Sequence, residues 1–192
     1  RTGKWFAFQN WDAQPDLIVF AKGSNSGYVP VGGVVISADI AATFDDRVFP
    51  GGLTYSGHPL ATASIVGSID AMREEKVNEH AAEIGEKVIG PGLRDLMDKH
   101  KIIGEVRGLG VFWALDLVTD RATREPLAPY AGTSPAMTEL VAECKKRFLI
   151  PFTNFNRMHV VPPATVSEAE VTEGLAILDD VFGIIDAHYT GA

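Results

Sequence analysis

Leu17-Ile18-Val19-Phe20-Ala21-Lys22-Gly23-Ser24-Asn25-Ser26-Gly27-Tyr28 is the segment from which the architecture of this chain can be read. The apolar run reads as a strand, and the Gly/Ser/Asn cluster behind it ends that strand. Lys22 therefore emerges where strand gives way to loop, near the core rather than out in solvent. An ammonium held there loses hydration, its pKa falls, and the neutral amine becomes a nucleophile toward aldehydes. The plainer alternative is a lysine whose stem snorkels out of a strand end, a common arrangement. The local residues leave both readings open.

Residues 1–16 read as a connector rich in Gly, Trp, Asn and Asp. A second strand is expected at 33–37, where an unbroken apolar run points to burial on both faces of a parallel-type sheet. Ser37 is placed to cap a short helix over 38–44. The stretch Phe49-Pro50-Gly51-Gly52-Leu53-Thr54-Tyr55-Ser56-Gly57-His58-Pro59 is a second glycine-rich loop. It opens into a helix over 59–73, with Pro59 suited to the first turn. The character of the chain changes near residue 76, where short strands and glycine-rich loops give way to an alternating α/β pattern typical of a smaller domain.

In the later part, Val77, Ala81, Ile84 and Val88 mark a helix over 77–88. Pro91 is expected to kink or interrupt it before 93–100. Strands at 102–107 and 111–118 are joined by Gly108-Leu109-Gly110. A helix is expected at 135–147, then short strands at 149–152 and 158–161. The last helix spans about 167–187, where Ser167 and Glu170 form a capping box.

Composition narrows the function. The 192 residues carry a net charge of -8, against the basic surface that a nucleic-acid partner requires. Hydrophobic residues are 46% and charged residues 22% of the chain, ordinary values for a globular protein. No apolar stretch is long enough to span a bilayer. The one cysteine, Cys144, excludes an internal disulfide and suits a reducing cytoplasm. Its helical surroundings, Glu143, Lys145 and Lys146, offer no triad, so it reads as a bystander thiol. The opening Arg1-Thr2-Gly3-Lys4-Trp5-Phe6 reads as the interior of a longer polypeptide.

Two motifs combine: Phe20-Ala21-Lys22-Gly23 with Gly27-Tyr28-Val29-Pro30-Val31-Gly32-Gly33, and Gly52-Leu53-Thr54-Tyr55-Ser56-Gly57-His58-Pro59-Leu60-Ala61. With Glu105-Val106-Arg107-Gly108-Leu109-Gly110 and Val160-Val161-Pro162-Pro163, the chain resembles the class III aminotransferases, the ω-aminotransferase branch of the pyridoxal-phosphate enzymes with the aspartate-aminotransferase type of fold. The resemblance covers essentially the whole chain. It implies the C-terminal part of such a protein, with 1–76 the later strands of the large, mostly parallel-sheet α/β domain and 77–192 the small α/β C-terminal domain, pyridoxal 5'-phosphate as cofactor and no metal.

The resemblance also assigns roles. Lys22 is the Schiff-base lysine and the catalytic base. Thr54 holds the cofactor phosphate of the neighbouring subunit across a homodimer interface, and Leu53 adds a backbone contact. Taken by itself, Thr54 suits a turn or cap equally well. Arg107 falls in a structural motif of the small domain, where an ion pair is expected. Arg157 is the candidate for an acidic substrate group, because Phe152 stands where many members of the family carry a mobile arginine. His58 is assigned no chemistry; Trp5 and Trp11 suit a substrate channel or core packing. The implied reaction moves an amino group from an amine or ω-amino acid, such as taurine or β-alanine, to pyruvate or 2-oxoglutarate. An aminomutase or decarboxylase on the same scaffold, or a non-catalytic piece serving in dimerisation, are the alternatives. The family's phosphate cup, ring-stacking aromatic and pyridinium-binding aspartate precede the segment matching Arg1-Thr2-Gly3. Polypeptide 1–192 alone is accordingly expected to be inactive.

Overall fold

The computed structural model describes residues 1–191, which fall into two compact units. One is Phe8–Lys76; the other joins Arg1–Ala7 to the described residues from Val77 onward.

In the Phe8–Lys76 unit, β1 (Leu17–Ala21) pairs with β2 (Gly32–Ile36), Leu17 opposite Ile36 and Ala21 opposite Gly32. The pairing is antiparallel, not the parallel arrangement expected from the apolar runs. The connection is the reason: ten residues separate the strands, and a parallel crossover needs a dozen or more. Nor are the strands buried on both faces; Val19 is 74% exposed and Val34 and Val35 are each at least half exposed. A continuous apolar run shows that both faces suit cover, not that the same chain supplies it. The short helix α1 (Ala38–Ala42) is capped by Ser37, whose Oγ accepts the Ile40 N–H at 3.4 Å. The long helix α2 (Pro59–Glu74) begins with Pro59 in its first turn, where a missing N–H costs nothing.

The later unit is built on a sheet of β3 (Ile103–Leu109), β4 (Phe112–Asp120), β7 (Arg157–Val160) and β6 (Phe152–Asn154), antiparallel in that order. A two-residue strand β5 (Glu125–Pro126) pairs with the end of β4. Side chains alternate along β4 from Phe112 to Leu117, and the pattern breaks at the buried Val118. Trp113, Leu115 and Leu117 point into a core shared with Met158 of β7 and with Leu93, Leu140 and Phe182. Those last three lie on α4 (Gly90–Lys99), α5 (Pro135–Lys146) and α6 (Glu168–Ile185). Phe112, Ala114 and Asp116 share the opposite, more open face.

Two boundaries differ from the expected ones. The break after α3 (Val77–Ile84) is a π-helical turn over Gly85–Ile89, ahead of Pro91, which sits in the first turn of α4. The turn lets the helix pass the β3–β4 connection: a Cβ on Gly85 would lie 2.0 Å from the Gly110 carbonyl oxygen. Residues 149–151 are the exit of α5 rather than a strand. Phe148 is left-handed (φ 61°) and the Leu149 N–H bonds the Cys144 carbonyl, closing the helix C-terminus. The capping box of α6 is present in both directions: Ser167 N–H to Glu170 Oε2 at 2.8 Å, and Glu170 N–H to Ser167 Oγ at 3.3 Å. Among the described residues no helix is long and apolar enough to cross a membrane.

Candidate active site

Lys22 opens a single turn of 3-10 helix, Lys22–Asn25, directly behind β1. Its backbone is left-handed, φ 42°, a conformation that clashes at Cβ and that a lysine holds only where its surroundings impose it. Ser26 and Gly27 follow with φ 56° and 79°, and the Gly27 N–H closes the loop onto the Lys22 carbonyl at 3.1 Å. The ammonium makes no hydrogen bond or ion pair with another described residue. It is exposed, not near the core as its position suggested. The ribbon of β1 and β2 has only two strands, so nothing in it screens the strand end from water. Close by, the Ser24 Oγ is buried and has no hydrogen-bond partner among the described residues.

Leu53 and Thr54 enter an exposed turn closed by the Ser56 N–H on the Leu53 carbonyl at 3.0 Å, with Gly57 left-handed at 66°. The turn runs into the N-terminus of α2, where backbone amides without intrahelical partners favour an anion. Leu53 itself is 76% exposed. No bond joins Lys22 to Thr54. The two loops are related through α2, on which the lysine loop is seated by a hydrogen bond from Asn25 Nδ2 to Ser64 Oγ at 2.9 Å. Composition alone did not single out Asn25; its place within the Gly/Ser/Asn cluster was the available signal.

These residues fit the pyridoxal phosphate implied by the motifs. An accessible amine without a carboxylate partner suits its aldehyde, and a hydroxyl with neighbouring amides ahead of a helix suits its phosphate. The orphaned Ser24 hydroxyl is a further polar group awaiting a partner.

Arg157 belongs to the other unit. It opens β7 opposite Asp116 of β4, and its Nε donates to Asp116 Oδ1 at 3.0 Å. Arg107 takes the second oxygen of Asp116 and lies 3.5 Å from Glu105, the ion pair expected for it. Burial pushes the Asp116 carboxyl up, but the two guanidiniums outweigh it and hold the group below its ordinary 3.8. His159, on the same face, is flanked by Phe152 and Phe112 at ring separations of 5.1 and 6.3 Å. Its burial, then the charges of Arg157 and Arg107, push its pKa down from 6.5. Phe152, at the position where many members of the family carry a mobile arginine, opens the edge strand β6 opposite His159 and is largely exposed. Cys144 is fully buried and its thiol is pushed up to about 11, chiefly by burial, as befits a thiol without chemistry.

Residues 1–182 match the family described as aminotransferase class-III. The taurine:2-oxoglutarate aminotransferase of Bifidobacterium kashiwanohense, solved with PLP and glutamate, superposes with a TM-score of 0.91 at 38% identity, over 98% of this chain and 42% of that one. The taurine–pyruvate aminotransferase of Bilophila wadsworthia is 31% identical over 98% of this chain and 43% of its own length. The 5-aminovalerate aminotransferase of Pseudomonas aeruginosa is 35% identical over 95% of this chain and 41% of its own. The chain thus spans about two fifths of the length of these relatives. It has their α/β fold over that span, and it belongs to the class III aminotransferases.

Proposed function

We propose that this chain is the lysine-bearing C-terminal part of a pyridoxal-phosphate aminotransferase that acts on an ω-amino donor and a 2-oxo acid. The observation that carries the reading is Lys22: an exposed amine with no salt-bridge partner among the described residues, on a left-handed turn at a strand end. Pyridoxal phosphate, when bound, supplies an aldehyde that captures amines and a ring that draws electrons from the carbon beside the nitrogen. Lys22 Nζ would hold the cofactor, and its neutral amine would serve as the base at the donor carbon. The Leu53-Thr54 turn grips the phosphate of the partner subunit in a homodimer, through the Thr54 hydroxyl and a backbone amide. Arg157 orients an acidic substrate group with its two Nη donors, in the planar fork that suits a carboxylate or sulfonate.

Taurine and β-alanine are the donors of choice, with pyruvate or 2-oxoglutarate as acceptor. The taurine aminotransferases among the relatives, one using each acceptor, support this choice. A soluble cytoplasmic homodimer is the assembly we infer. The decisive experiment assays the full-length protein for amino transfer from taurine to each acceptor. Transfer that depends on the 2-oxo acid, with a visible cofactor band erased by borohydride and absent from Lys22→Ala, is expected. Turnover independent of any acceptor would point to a mutase or decarboxylase, and normal turnover in Lys22→Ala would remove the lysine from its role.

A further inference from the structure

Of the loop residues from Lys22 to Tyr28, Asn25 is the buried one, 1% exposed. Its Oδ1 accepts the Gly27 N–H at 3.1 Å, the same N–H that bonds the Lys22 carbonyl. Its Nδ2 donates twice, to the Val29 carbonyl at 2.7 Å and to Ser64 Oγ of α2 at 2.9 Å. The Ser64 hydroxyl in turn donates to the Ala61 carbonyl at 2.6 Å. Both amide hydrogens and the amide oxygen are thus engaged, and the left-handed backbone of Lys22 is one shared hydrogen bond away.

We propose that Asn25 is the positioning residue of Lys22. It clamps the lysine turn onto α2 and so sets where the amine leaves the strand. The chemistry demands an asparagine. Aspartate lacks the two donors and would set its charge against the Val29 carbonyl; glutamine is a methylene too long for a buried site. A turn held loosely would leave Lys22 free to relax out of φ 42°, and small displacements of a reacting group carry large kinetic costs. The inference rests on the reading of Lys22 as the reactive amine.

The test uses the full-length protein and the variants Asn25→Ala, Asn25→Asp and Ser64→Ala. Two readouts are taken beside the melting temperature. One is kcat and KM for the amino donor. The other needs no turnover: reductive methylation of Lys22 in the cofactor-free protein by formaldehyde and cyanoborohydride, followed across pH by peptide mass spectrometry with Lys145 as internal reference. Asn25→Ala and Asn25→Asp are expected to lose about tenfold or more in kcat with KM within about threefold. The rate of Lys22 labelling should change while that of Lys145 stays. Ser64→Ala should show the same pattern in weaker form. Melting that falls while kcat and Lys22 labelling hold would make Asn25 a structural residue only and overturn the proposal. If the Asn25 variants do not fold, Ser64→Ala decides: unchanged turnover and labelling overturn it, and slowed turnover at unchanged melting upholds it. Failure of the parent reading looks different, because Lys22→Ala would then turn over normally whatever the Asn25 variants do.

Discussion

Arg157 is tied to Asp116 across neighbouring strands, its Nε 3.0 Å from Oδ1, and no described residue occupies its two Nη groups. Asp116 thereby steadies a guanidinium that still presents a two-pronged donor. Arg157→Ala is expected to raise KM for the substrate bearing the acid group by about tenfold or more, the loss of a charge-assisted bidentate contact. Steady-state kinetics with taurine and with an uncharged amine of similar size decide the matter; equal losses for both amines would remove Arg157 from substrate recognition.

Asp116 also makes a pH prediction, together with Asp179. The Asp179 carboxyl is held below its ordinary 3.8 by hydrogen bonds from Lys99 and then from His100, and Asp116 lies below 3.8 as well. A depressed carboxylate binds fewer protons folded than unfolded, so its contribution is present above 3.8 and fades as pH falls through the lowered value. Thermal melts should hold their midpoint down to about pH 4 and drop below it, more gently in Asp179→Asn. A midpoint indifferent to acid would contradict this.

His100 is buried between two aspartates of α6 and its extension, Nε2 at 2.6 Å from Asp179 and Nδ1 at 2.7 Å from Asp186. Asp186 also accepts the Ile102 N–H at 3.2 Å, so the cluster pins the entry to β3. His100→Ala removes a buried ring together with its contacts to Asp179 and Asp186. A loss of about 1–3 kcal/mol is expected in denaturant titration. A smaller loss in the Asp186→Asn background would show the coupling.

Cys144 should be silent in the native protein. With its thiol pushed up to about 11 and its side chain buried, a thiol reagent at pH 8 is expected to find nothing until denaturant is added, then one thiol per chain. Stoichiometric labelling under native conditions would place Cys144 in an opening segment.

The 192-residue polypeptide expressed alone is expected to self-associate and to form no borohydride-reducible cofactor adduct at Lys22. Val19, Val48, Leu53 and Tyr55 are largely exposed, and β1 and β2 make a two-stranded ribbon, which is marginal by itself. A monodisperse species of 20.7 kDa with a cooperative melt and a trapped adduct would overturn this expectation.

The features legible in one dimension are those set within a few residues of one another. Ser37 and the Ser167–Glu170 box announce helix starts, Pro59 marks the first turn of α2, the alternation from Phe112 to Leu117 marks a half-buried strand, and the glycine cluster places Lys22 at a strand end. Caps, periodicity and turn chemistry act over one or two turns of backbone, so they are legible in one dimension. Tertiary structure alone decided the rest. The apolar runs of β1 and β2 suited a parallel sheet as well as an antiparallel pair; the ten-residue connection and the pairing of Leu17 with Ile36 settled it. Lys22 is exposed because of what does not cover it, and Asn25 is buried because Ser64, 39 residues on, reaches it. Arg157 acquires Asp116 from 41 residues away, and Gly85 must be glycine because the Gly110 carbonyl crosses it. Burial, charge pairing and close backbone approach are properties of neighbours in space, and chain spacing does not encode who those neighbours are.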